Sequence, residues 1–74
     1  MELNDFMKGI LAEVQNLQAT GTYNAFEIHT NYKGNVSVSV WKTQRSHLRM
    51  YSFYVFYSNE DNLKELKALK KYLK

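Results

Sequence analysis

Leu48-Arg49-Met50-Tyr51-Ser52-Phe53-Tyr54-Val55-Phe56-Tyr57 is the stretch whose reading decides the fold. Aromatic and β-branched residues occupy both of its alternating faces, and neither Gly nor Pro interrupts it. Such a run reads as a strand covered on both sides, or covered on one side and open to a partner on the other. It predicts a small sheet, and a sheet needs a layer of helices to roof it.

Two shorter strands precede it. Residues 22–31 alternate, with Phe26 and Ile28 on one face and Ala25, Glu27 and His29 on the other. Val36, Val38 and Val40 repeat the pattern, with Ser37, Ser39 and Trp41 opposite. Between them, Tyr32-Lys33-Gly34 predicts a three-residue hairpin loop with Gly34 left-handed and Asn31 facing Asn35. That register sets Phe26 opposite Val40 and Ile28 opposite Val38, so the apolar residues share a face. A two-residue loop at Lys33-Gly34 would set Phe26 against Trp41 and scatter the valines. A slip of one residue turns every side chain over, so the hydrophobic pattern selects the first register. The polar, basic run Lys42-Thr43-Gln44-Arg45-Ser46-His47 then reads as a second hairpin connection.

Amphipathic helices flank the strands. In residues 3–18, Leu3, Phe6, Met7, Ile10, Leu11, Val14 and Leu17 recur at the spacing of one helical face. Asn4 or Asp5 is placed to cap the start, and Gly21 to end the helix in a left-handed conformation. Gly9, within the pattern, costs about 1 kcal/mol against Ala and is either tolerated or needed for close packing on the sheet. At the other end, Ser58 with Asp61 makes a start close to a capping box. Leu63, Leu66, Leu69 and Leu73 form the apolar stripe behind it, with Tyr72 at the margin. Acids in its first turn and lysines in its last suit the helix dipole. The expected fold is α+β: one domain spanning 1–74, in α-β-β-β-α order, with a three-stranded antiparallel sheet and two helices packed on one face.

The size of the chain bears on its partners. A domain of 74 residues buries only about 60% of the surface its unfolded chain exposes, so its stability is marginal. There is no Cys, which removes disulfides, thiolate nucleophiles and cysteine-based zinc sites and suits a cytoplasmic protein. Homodimerisation is the reinforcement most easily available to such a chain. The acidic start Met1-Glu2-Leu3-Asn4-Asp5 carries no secretory signal pattern. No apolar run approaches the roughly 20 residues of a membrane span. The net charge of +3 is mild, but its distribution is uneven. Glu2, Asp5 and Glu13 against Lys8 make the first helix acidic, whereas Lys33, Lys42, Arg45 and Arg49 follow one another with no acid between them.

Placing the helices on the face of Phe26, Ile28 and the three valines assigns Tyr51, Phe53, Val55 and Tyr57 to that covered face. The uncovered face then presents Trp41, Met50, Tyr54 and Phe56, an apolar set larger than a lone monomer ordinarily shows to water. These four are the expected protein-interface anchors.

Catalytic chemistry finds no foothold. His29 and His47 sit in no nucleophile or metal motif, and Glu27 with His29 on one strand face falls short of a stable metal site. The glycines Gly9, Gly21 and Gly34 are isolated, so no phosphate-cradling loop is present. The expectation is a non-enzymatic protein with no catalytic, cofactor or metal residues. The alternative is a nucleic-acid-binding accessory protein. Lys42, Arg45 and Arg49 would meet phosphates beside the stacking surface of Trp41. Lys64, Lys67, Lys71 and Lys74, within about 80° on a helical wheel, would extend the contact. The α-β-β-β-α order resembles that of the double-stranded RNA-binding domain in topology and length. That family grips duplex RNA through a lysine-rich start to its second helix and a Gly-Pro-rich hairpin loop with a His. Here the corresponding positions read Asn59-Glu60-Asp61 and Asn31-Tyr32-Lys33-Gly34-Asn35, so the resemblance carries no binding residues over. The leading expectation is a protein-interaction or homodimerising module that uses the open sheet face.

Overall fold

A computed structural model describes residues 3–74. Met1 and Glu2, part of the acidic N-terminal reading, lie outside the described residues. The chain runs α1 (Asp5–Thr20), β1 (Ala25–Thr30), β2 (Val36–Trp41), β3 (Arg49–Phe53) and α2 (Asn59–Leu73). The three strands form one antiparallel sheet in the order β1-β2-β3, and both helices pack on the same face of it.

Each helix begins where its cap dictates. Asn4, rather than Asp5, caps α1: its Oδ1 accepts from the Met7 N–H at 2.8 Å. Ser58 Oγ accepts from the Asp61 N–H at 3.1 Å and starts α2. The end of α1 departs from expectation. Gly21 has φ −119° and ψ 171°, an extended conformation open to any residue. Its lack of a side chain matters for space instead, because a Cβ there would collide with the Tyr23 ring. That ring turns back so that its hydroxyl donates to the Leu17 carbonyl at 3.0 Å, satisfying one of the helix's unpaired acceptors. Around Gly9 there is open space, so no close packing requires a glycine.

The first hairpin forms in the register that the valines select. Phe26 lies opposite Val40 and Ile28 opposite Val38. Gly34 takes φ 83°, and its N–H donates to the Asn31 carbonyl at 3.0 Å. Val36, Val38 and Val40 are fully buried, and with Phe26, Tyr51 and Phe53 they meet Met7, Ile10 and Val14 of α1 and Leu66 and Leu69 of α2. Among the described residues these are the buried core side chains. Burying Phe53 contributes about 2–3 kcal/mol by area alone.

The third strand is shorter than its composition suggests. It pairs Phe53 with Val36, the first residue of β2, so anything beyond Phe53 has no strand to pair with. Residues 54–57 leave the sheet as a turn, closed by the Tyr57 N–H donating to the Tyr54 carbonyl at 3.1 Å. Val55 and Tyr57 are therefore exposed rather than on the covered face, and Phe56 is on the turn rather than on a strand. Two asparagines replace the missing ladder. Asn35 Oδ1 accepts from the Val55 N–H at 2.9 Å, and Asn62 takes both backbone groups of Tyr54.

Asn62 also corrects the reading of α2. It is 1% exposed, whereas Leu63 of the expected apolar stripe is 51% exposed. The helix is rolled so that Asn62 points at the end of β3. Leu66 and Leu69 remain buried, and Leu73 packs at the margin of the core.

Candidate interaction surface

Strand alternation leaves one sheet face without helices. Across it run Ala25 opposite Trp41, Glu27 opposite Ser39 and His29 opposite Ser37. On the other side of β2, Ser39 faces Met50 and Ser37 faces Ser52. Trp41 lies on this open face, 39% exposed, while its neighbour Val40 is fully buried beneath the helices. Met50 is 66% exposed. Extending the β2–β3 register by one residue sets Leu48 opposite Trp41, and Leu48 is 61% exposed. Trp41, Leu48 and Met50 thus make one apolar cluster at the end of the sheet nearest the second hairpin. Leu48 was legible as part of it, since counting back by two from Met50 reaches it.

The other end carries aromatic rings. Tyr54 stacks on Phe56 with centroids 5.0 Å apart at 26°. Tyr57 meets both edge-on, at 4.9 Å from each. Phe56 therefore belongs to the surface through Tyr54, not through strand alternation. Between the two ends the serines are low. A shallow depression of about 300 Å³ opens there, with Ser37 and Ser52 at its base and His29, Met50 and Tyr54 around it. The four expected anchors are thus split into two pairs, Trp41 with Met50 and Tyr54 with Phe56, on either side of a polar trough.

The basic cluster is organised differently from the sequence reading. Lys42 does not sit beside Trp41 on the open face. It turns to the helix side, where its Nζ donates to the Tyr72 carbonyl at 3.1 Å and the Lys74 carbonyl at 3.2 Å. There it also lies over the Tyr72 ring, at 5.4 Å from the centroid. The Arg49 guanidinium lies over the same ring at 4.6 Å, because Arg49 pairs with Val40 and shares its face. Two cations thus complement the carbonyl end of α2, where the helix dipole is negative. Arg45 and His47 remain exposed on the connection. On α2, Lys64 is within 4.0 Å of Glu60, and Lys67, Lys71 and Lys74 are exposed.

A second apolar groove, about 460 Å³, separates the helices. Phe6, Gly9 and Leu63 flank it, Ile10 and Leu66 lie within it, and the Glu13–Lys70 ion pair at 3.1 Å spans one end. Among the described residues, no three His, Asp or Glu side chains gather into a metal-binding group, and no helix is long and apolar enough to cross a membrane. No protein-family model matches the chain, and comparison with curated proteins and with solved structures finds no match.

Proposed function

We propose that the protein is a non-enzymatic interaction module that docks on another protein surface through its open sheet face. The observation that carries this reading is the placement of Trp41, Leu48 and Met50 as exposed neighbours in the strand register, on a face that none of the described elements covers. Large apolar side chains in contact with water and with each other mark surfaces that bind. Aromatic residues and Met are the types enriched at the centre of protein interfaces. The serine trough between Met50 and Tyr54 adds shape, since a side chain protruding from a partner can enter it. The hydroxyls of Ser37 and Ser52 are there to hydrogen-bond what the apolar ends do not.

Nucleic-acid binding is the second reading, and it has less support. Lys42 and Arg49 face Tyr72 and the end of α2, on the side of the sheet away from Trp41. Cations and stacking ring therefore do not converge. Measured on generic duplex and single-stranded nucleic acid, binding should be absent or insensitive to salt. Affinity that falls steeply as salt rises would reverse the order of the two readings.

Cross-linking with partner capture, compared between the native chain and Trp41→Ala/Met50→Ser, tests the docking face. The two substitutions lie outside the core, so folding is retained and capture should be lost. A variant that captures the same partner as the native chain removes the open face as the docking surface.

A further inference from the structure

The sheet has two edges, and among the described residues helix side chains reach them unequally: they take three backbone groups at Ser52 and Tyr54, around the end of β3, and one on β1. The pairing of Asn31 with Asn35, whose carbonyl accepts from the Asn31 N–H at 3.2 Å, sets the alternation along β1. In an antiparallel ladder every second residue points its backbone groups at the neighbouring strand and the others point them away. Phe26, Ile28 and Thr30 are accordingly the residues whose N–H and C=O face outward. Gln18 donates to the Phe26 carbonyl at 2.7 Å. Among the described residues, nothing partners the outward groups of Ile28 and Thr30. The strand AFEIHT carries no Pro and no Lys, two of the devices that ordinarily keep such an edge from recruiting another strand.

We propose that this edge pairs antiparallel with β1 of a second copy of the chain, about a two-fold axis at Ile28, to give one continuous sheet across a dimer. This rests on the edge and not on the open-face docking described above. Three features of β1 select the occupant and the register. With the axis at Ile28, outward-facing groups meet outward-facing groups throughout: Ile28 with Ile28, and Phe26 with Thr30 in both directions. The Phe26 carbonyl has a second lone pair, so it accepts from the second copy while Gln18 stays in place. The same register sets Glu27 of each copy opposite His29 of the other, twice per dimer. An imidazole donates an N–H to a carboxylate whether it is neutral or protonated, so the two pairs are complementary in either state. Moving the axis to Glu27 would instead oppose two carboxylates, and moving it to His29 would oppose two imidazoles. Leu11 supplies an apolar border. It lies within about 20° of Gln18 on the wheel of α1, and so on the flank that reaches the β1 edge; Leu11 and Ile28 are both half-buried at the margin of the core.

Sedimentation velocity of the full chain over a range of concentrations, at pH 7, tests the pairing. The native chain should dimerise. His29→Glu, which opposes carboxylate to carboxylate at two positions, should weaken the dimer about tenfold. Adding Glu27→Lys to His29→Glu restores opposite charges across the axis and should recover the native affinity to within about threefold. Ile28→Pro removes an N–H that the monomer's own sheet does not use, and an edge position accepts Pro. It should yield a folded monomer by circular dichroism, and if it does not fold, the charge pair decides alone. A chain monomeric at every concentration overturns the proposal, as does a double variant no tighter than His29→Glu. A dimer that survives these changes but dissolves in Trp41→Ala also overturns it and assigns self-association to the open face. Loss of partner capture in the open-face variant, with the dimer intact, would leave this proposal standing.

Discussion

The edge of β3 and the edge of β1 belong to the same small sheet and are treated unequally. On β3, the Ser52 N–H donates to Glu65 Oε2 at 3.1 Å. The Tyr54 N–H donates to Asn62 Oδ1 at 3.2 Å, and Asn62 Nδ2 donates to the Tyr54 carbonyl at 2.9 Å. Side chains of α2 thus take one outward N–H of β3 and both backbone groups of the residue that follows the strand. On β1, the single contact of this kind among the described residues is Gln18 with Phe26. The difference follows from how the helices lie. The chain enters α2 directly from β3 through a tight turn, which holds the first turns of α2 against the strand it has just left. The link from α1 to β1 at residues 21–24 instead brings in Tyr23, which packs on Phe26 at 5.0 Å and returns to α1. Helix side chains hold three backbone groups around the end of β3, whereas on β1 they hold one.

The contrast can be broken by substitution. Asn62→Ala should have the largest effect, about 3 kcal/mol in a urea titration, because it strands a donor and an acceptor near the core. Should it cost no more than an exposed substitution, α2 does not hold the end of β3. Glu65→Ala should cost about 1.5 kcal/mol, the scale of a hydrogen bond to a charged group, and amide exchange at Ser52 should quicken more than at Phe53. Gln18→Ala, on the open side, should lower stability by only about 0.5 kcal/mol, since Gln18 is exposed and water can replace it. Lys64→Ala should be nearly silent, within about 0.3 kcal/mol, because its 4.0 Å pair with Glu60 is solvated on both sides. An ordering in which Gln18→Ala exceeds Glu65→Ala would invert the comparison.

The two faces of the sheet show how far residue pattern reaches. Alternation in β1 and β2 placed Phe26, Ile28 and the three valines under the helices and left Trp41 outside, because period-two burial is a local property of the chain. The same rule failed past Phe53. Tyr54, Val55, Phe56 and Tyr57 have the composition of a strand, but a strand lasts only as long as its neighbour, and β2 begins at Val36. Lys42 and Arg49 were legible as cations but not as occupants of the Tyr72 ring, since nothing local ties residues 42 and 72 together. Asn62 gave no sign of its role either. A polar residue between leucines on a helix reads as surface until the strand end that it satisfies is brought to it.

Taken alone, the sequence determined the α+β class, the element order, the first hairpin's register and the residues of the central core. Each follows from interactions between residues near in the chain or from a periodicity that the chain repeats. Tertiary structure alone decided where β3 stops, which way α2 rolls, that the basic residues split between the loop and the end of α2, and that helix side chains take more backbone groups at the end of β3 than along β1. Those outcomes depend on which backbone groups are left unpaired after the sheet has formed, and unpaired groups exist only once the strands have met.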